Sequence, residues 1–432
     1  MSSPSAPELP GPRSAPLWPP VPLTEFPPTR AAALARLAAV RPADYARSRN
    51  ALDGAVTRLS PYITHGILDL PDILAAVAAR HRLEVQHKFV FELGWREFFR
   101  HVWEHHGDDI FRSLHAGPLH DGAYMQEVPA DVRAGCTGVP VIDMAVRTLY
   151  ATGYLHNHAR MWLASYVVHL RKVHWRAGAD WMVGHLLDGD LASNHLSWQW
   201  VAGTGSSKPY LFNAENVARF APAEWHSPGS VVDSSYEALD AVAQRAAPVA
   251  TKARGKGVDE PALFTVPPGA TANATDMNDS ANAVDLTGRD VWLVHPWALC
   301  DPPLDLPADC LRIGWWPTEY FAQHPWSAAR WAFVAGRMAE IAPVAWCSNR
   351  DALARSLASA RLVETRTDPH VRALLPASVH QRPAPQLFAD VDRACTSFSG
   401  WWNRTTRGVK RIEDLPGMMA LAEARGSRPG RG

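Results

Sequence analysis

Net charge is the first thing this sequence lacks. Its 432 residues carry 43 Lys and Arg against 43 Asp and Glu, a formal net charge of +0. The overall basic field of a tight nucleic-acid binder is therefore missing, although charge segregated to one face still allows a local basic patch. Cysteine is sparse and scattered. Cys136, Cys300, Cys310, Cys347 and Cys395 form no CxxC pair, which argues against a disulfide framework, a zinc site and an iron–sulfur cluster, so no metal is expected. No apolar run approaches the about 18–20 residues that cross a bilayer. The N-terminus lacks a charged region followed by an apolar one, so no secretory signal is expected and a cytoplasmic protein is the default.

The hydrophobic content of 47% and charged content of 20% are those of an ordinary globular chain. Tryptophan is the outlier, at 18 residues. Most read as core packing, the rest as stacking surfaces or electron carriers.

Strand-type alternation is absent from the first half, which reads as all-α. Residues 1–25 are rich in Pro and Ser and read as a disordered leader. A helix is predicted from near Pro28, another over LPDILAAVAARH, and a long aromatic one over His87–His106. Residues 107–136 read as loop. Helices with breaks near Gly153, Gly178 and Gly189 fill Thr137–Val201. Residues 224–286 are Gly-, Pro-, Ala- and Asn-rich and read as a linker. Beyond them DVWLVHPWAL, CLRIGWW, PVAWCS and RLVETRT read as strands between helices, with Asn349 as an N-cap. Alternating strands and helices indicate a parallel α/β unit. The fold class is therefore multidomain: an all-α domain over 26–223, a small α/β domain over 287–415 and a tail over 416–432.

The stretch Thr137–Phe212 is the most informative. Its helical faces carry His156, Asn157, Arg160, Asp188, Asp190 and Asn194 among apolar residues. A buried charge costs several kcal/mol unless paired or met by a ligand, so this segment is expected to line a polar, ligand-filled cavity. Asp190, Asn194 and Trp198 recur every four residues and share a face, whereas Trp198 and Trp200 point nearly opposite ways.

Four motifs in one order, TRLSPYITHG, ELGWREFFR, TGVPVIDMAVRTLYATGYLHNHARM and DGDLASNHLSWQW, resemble the FAD-binding helical domain of the photolyase/cryptochrome family. The resemblance covers roughly Phe26–Pro222 and implies FAD as cofactor. It makes Thr57, Arg58, Leu59 and Ser60 the pyrophosphate loop and Tyr45 a second contact. Arg160, Asp188 and Asp190 fall against the flavin, Asn157 beside it, and Asn194 faces its N5, a choice typical of repair enzymes. Trp198 and Trp175 match the proximal and middle members of an electron-transfer chain. The distal member is not evident; Tyr124, Trp162 and Trp181 are candidates. Glu92, Trp95, Arg96, Asn157, Met161 and Trp200 match the pocket for a flipped pyrimidine dimer, with Arg49 and Arg100 as phosphate contacts. Relatives that repair (6-4) lesions place His at the positions of Asn157 and Met161, so a cyclobutane dimer is implied. In the family an α/β domain able to hold a second chromophore precedes the FAD domain; here an α/β block follows instead, and that chromophore is unknown.

Two departures weaken the DNA reading. His158 stands where a phosphate-binding Arg is common, and SSKPYLFNAENVARF lacks the Arg that many members carry after the Tyr. The expectation is a FAD-dependent, blue-light-driven deoxyribodipyrimidine photo-lyase acting on DNA, single strands included. A cryptochrome-like flavin photoreceptor is the alternative, and a helical scaffold with a degenerate flavin site a third reading.

Overall fold

Residues 24–268 and 284–426 are described by the computed structural model. The leader, apart from Thr24 and Glu25, and the middle of the expected linker lie outside the described residues. Before Leu263, every regular element described is helical.

Helix α1 (Arg30–Ala38) starts where the Thr29 side chain accepts from the Ala32 N–H. Helices α2 (Pro42–Ser48), α3 (Ser60–Thr64) and α4 (Leu70–Ala78) each carry a proline in the first turn, where a missing N–H leaves nothing unsatisfied. Helix α5 (Lys88–His106) buries Phe89, Val90, Leu93, Phe98 and Val102 along one side. After the short α6 (Ala130–Arg133), α7 (Pro140–Thr152) ends at Gly153 in the left-handed conformation. Helix α8 (Asn157–Ser165) runs into a wide π-type turn at Tyr166–Leu170. Then follow α9 (Trp175–His185) and α10 (Leu191–Ala202).

The break expected at Gly178 is not there. Gly178 lies inside α9, and the chain turns at Arg171–His174 instead. Packing requires this glycine: a Cβ would stand 2.3 Å from the Trp198 ring.

Residues 224–268, expected as linker, are built into the fold. After α11 (Ala214–Phe220) they form α12 (Tyr236–Ala243), whose last carbonyls, of Val242 and Ala243, accept from Lys172 Nζ at 2.8 and 2.9 Å. Glu260 accepts from Arg133 and from the Trp181 indole, and Leu263–Phe264 forms a first strand, β1.

The second half holds β2 (Asp290–Val294), β3 (Leu311–Pro317), α13 (Thr318–Gln323), β4 (Trp326–Ser327), α14 (Ala328–Ile341), β5 (Val344–Ser348), α15 (Arg350–Ser356), β6 (Leu362–Arg366) and β7 (His380–Arg382). Strands β1 and β4 pair antiparallel. The other five form a parallel sheet in the order β5-β3-β2-β6-β7. The chain steps outward from β2 and then returns to its other side, a doubly wound topology with its switch between β2 and β6. Helices α16 (Phe398–Thr405) and α17 (Pro416–Gly426) follow, so the expected tail is helical to Gly426.

The apolar core does not stop at the end of the helical half. One cluster joins Phe26, Ile73, Phe98 and Leu191 to Val291, Trp315, Phe333 and Trp402; a second packs α6–α9 against α10 and α12. Helix α10 lies between the two and is buried nearly all round. Three polar ties reinforce the seam. His65 ring nitrogens meet the carbonyls of Pro296 and Leu187 at 2.7 and 2.9 Å. Arg330, fully buried, donates to the carbonyls of Val183 and Gly189. His370 Nε2 accepts from the Leu191 N–H at the start of α10, while its Nδ1 meets Asp368 at 2.7 Å.

Candidate cofactor and substrate site

Two adjoining cavities, of about 230 and 280 Å³, open in the helical half and share Ser60, Arg96, Tyr154 and Asn157. Helix periodicity builds the first. Ser193, Asn194, Ser197, Trp198 and Val201 form one face of α10. Asn157, Arg160, Met161 and Ala164 come from α8, Met182 from α9, and Trp95, Arg96 and Phe99 from α5. The second is walled by Tyr45 and Arg49, the loop residues Thr57, Arg58 and Ser60, and Glu92 from α5. Arg58 sits at φ 51, a conformation that non-glycine residues seldom adopt. Its guanidinium is paired with Glu25. Leu59 does not face the cavity; it is buried in the core.

The charged centre is Asp188. Burial alone would raise its pKa, but the Arg160 guanidinium and the Ser60 hydroxyl outweigh it and hold the carboxyl below its ordinary value. Arg160 Nη2 donates to both carboxylate oxygens at 2.9 and 2.8 Å, and its Nε donates to the Leu155 carbonyl. Asn194 Nδ2 donates to the Ala179 carbonyl at 2.9 Å, which leaves the amide oxygen as its acceptor toward the cavity. Asp190 lines neither cavity. Its carboxylate accepts from the Ser193 N–H and stands 3.9 Å from His370, beside a third cavity of about 700 Å³ at the carboxyl ends of β2 and β6.

Trp198 is buried in the wall of the first cavity and lies against α9 at Gly178; Trp175, three residues earlier, is on the same face of that helix. Glu92 is held at the second cavity by Arg49 Nε at 3.3 Å and Lys88 at 3.6 Å. Trp95 stacks on Phe398 at 4.1 Å with 11° between planes, so α16 covers one face of this ring. Asn157 and Met161 come together, with Nδ2 and Sδ 3.5 Å apart. Arg96 reaches Thr64 at 3.2 Å and lines all three cavities. Trp200 is not gathered into these walls: it is 41% exposed and packs against Tyr210. His158 turns away to the Asn50 carbonyl.

Sequence reasoning missed Tyr154, Met182, Ser193 and Ser197. The two serines are legible in hindsight, as they occupy the same face as Asn194 and Trp198. The donor set suits a large, polar, anionic cofactor. The hydroxyls of Thr57 and Ser60, the Arg160 cation and the Asn194 acceptor converge on the joined cavities. His156 Nε2, in their wall, is buried without a partner of its own, so an occupant has a polar atom to satisfy.

Residues 89–229 match the family model described as the FAD binding domain of DNA photolyase. A deoxyribodipyrimidine photo-lyase of Thermus thermophilus is 40% identical over 201 residues, 45% of this chain and 47% of that protein. A cryptochrome DASH of Ostreococcus tauri is 32% identical over 191 residues, 42% of this chain and 35% of that protein. The chain thus spans about half or less of the length of these curated relatives. Among solved structures, a Synechocystis cryptochrome aligns with 30% identity over 44% of this chain and 43% of its own, at a TM-score of 0.39.

Proposed function

We propose that this chain is a member of the photolyase/cryptochrome family, as the match of residues 89–229 supports, and that it uses FAD and blue light to split cyclobutane pyrimidine dimers in DNA. The joined cavities carry the reading, since they bring Asp188, Arg160 and Asn194 within one wall of Trp95, Asn157 and Met161. FAD, when bound and reduced, supplies the light-driven electron. The chain's residues do the rest. Thr57, Arg58 and Ser60 would hold the cofactor's pyrophosphate end, and Arg160, Asp188 and Asn194 would hold its flavin ring. Asn157, Met161 and the open face of Trp95 receive the dimer, whose poor stacking makes extrusion cost only a few kcal/mol. Glu92, paired with Arg49 and Lys88, meets the base edge. Trp198 and Trp175 would form the path by which an electron reaches the flavin. The C-terminal sheet stands in for the α/β domain that precedes the FAD domain in the family, and the cavity of about 700 Å³ at its strand ends is the place for a second chromophore.

The exposed Trp200 and the ion-paired Arg49 favour a second reading, a flavin photoreceptor without repair. One experiment separates them. FAD-loaded protein, reduced in the dark, is mixed with a single-stranded oligonucleotide bearing one thymine dimer, and half is lit. Recovery of thymine absorbance only in light supports repair, and Glu92→Ala should slow it by on the order of a hundredfold, the usual share of a positioned acid–base side chain. No recovery from photoreducible protein leaves the photoreceptor reading.

A further inference from the structure

The loop 107–136 contains no tryptophan to continue the path beyond Trp175, yet it touches that ring in a specific way. The Trp175 side chain is 2% exposed, so its indole N–H has no direct access to water. It donates to Ser113 Oγ at 3.0 Å. Ser113 Oγ in turn donates to Asp121 Oδ1 and Oδ2 at 3.2 and 3.1 Å. The Asp121 side chain is 50% exposed, with His174 Nε2 3.6 Å away. A buried indole N–H, a hydroxyl and a solvent-facing carboxylate are thus connected in series.

We propose that Ser113 and Asp121 are a proton outlet that traps the oxidised form of Trp175, replacing a distal tryptophan. The inference rests on the reading of Trp198 and Trp175 as the electron path. Oxidised Trp198 takes one electron from Trp175. An indole N–H is a negligible acid, but oxidation to the radical cation raises its acidity to about that of a carboxylic acid. The N–H bond therefore breaks and its electron pair stays on nitrogen. The proton goes to Ser113 Oγ, and the hydroxyl proton of Ser113 goes to the Asp121 carboxylate. What remains is a neutral tryptophan radical and a protonated Asp121, which re-equilibrates with water. Back-transfer of the electron now needs the proton as well, so charge separation outlasts the flash. A thiol reductant then returns one electron and one proton to Trp175. The Tyr124 ring lies 6.2 Å from that of His174, which lies 5.6 Å from Trp175, so Tyr124 is the competing acceptor of the hole that the experiment has to separate.

The test is laser-flash absorption of the FAD-loaded, oxidised protein, wild type against Ser113→Ala, Asp121→Asn and Trp175→Phe. The neutral tryptophan radical absorbs to the blue of the cation, so the two are read separately. The wild type should form the neutral radical, more slowly in deuterated water. Asp121→Asn and Ser113→Ala should keep the resting flavin spectrum but slow deprotonation by on the order of a hundredfold, with Asp121→Glu restoring much of the rate. Neutral-radical formation at the wild-type rate in both variants would overturn the outlet while leaving the electron path standing. A tyrosine radical in the wild type would move the hole to Tyr124 and also overturn it. No tryptophan radical at all, with FAD bound, would remove the electron path and the outlet together.

Discussion

Gly178 shows how tightly one residue can be bound to the site. Its Cα faces the Trp198 ring so closely that a methyl group would meet ring carbons at 2.3 and 2.4 Å. Core overpacking of this kind costs about 1–3 kcal/mol, and here the displaced object is the proposed first electron donor. Gly178→Ala should lower the denaturant midpoint accordingly and slow photoreduction of bound FAD more than a stability loss of that size explains. Photoreduction at the wild-type rate would show that the Trp198 position is not what limits transfer. Asp188, Arg160 and Asn194 were readable from the chain because polar residues at helical spacing among apolar ones have to find a partner or a ligand. Leu59 and Asp190 were less so. A motif names a loop, but only the turn at Arg58 decides that Leu59 goes to the core, and only the docking of His370 decides which side of α10 Asp190 serves.

At the scale of elements, the long apolar periodicity of α5 and the strand–helix alternation after Asp290 were legible, while several boundaries were not. Helices α5, α8 and α9 are capped by His87, His156 and His174, whose Nδ1 atoms accept from Phe89, His158 and Arg176. Histidine is not among the residues that ordinarily mark a helix start, so the beginning of α9 was hidden and Gly178 was mistaken for its edge. Strand β7 and helices α16 and α17 were missed for another reason: they are short and gain their stability from what they pack on, as propensity alone cannot. If the chain repairs dimers as proposed, helix α16 bears on that activity. Phe398 stacks on Trp95 and also contacts Phe91 at 4.6 Å. Phe398→Ala should cost about 3–5 kcal/mol of stability. It should also raise KM for dimer-containing oligonucleotide more than it lowers kcat, because Trp95 loses its backing. Steady-state repair assays at several oligonucleotide concentrations check this.

Over the whole molecule, the two halves share one apolar cluster, so they should unfold together. Calorimetry should show a single transition with equal calorimetric and van't Hoff enthalpies, where two independent domains would give two. Acid should weaken that unit in a defined window. Burial holds His295, with its Nε2 against the Arg366 carbonyl and its Nδ1 accepting from Trp297 N–H, down to about 4. His156 and His324 are likewise held at about 4 by burial. Each folded value lies below the unfolded one of about 6.5, so the unfolded chain binds more protons between them. The stability is whole above about pH 6.5 and falls away as the pH drops toward 4, and one buried site of this kind is worth roughly 3 kcal/mol. Urea midpoints at about pH 7 and pH 5 measure it, and His295→Asn should flatten the slope.

The clamp of Arg330 on the Gly189 carbonyl has a consequence for synthesis. The two residues are 141 positions apart. At about 5–20 residues per second, a ribosome delivers Arg330 roughly 7–28 s after the loop it secures. During that interval the helical half is out, but the turn carrying Asp188 has none of its later supports, and the apolar side of α4 and α5 is bare. Cofactor retention should therefore be weaker in a chain halted before Arg330 than in the full chain, although the lining residues of both cofactor cavities lie between Tyr45 and Val201.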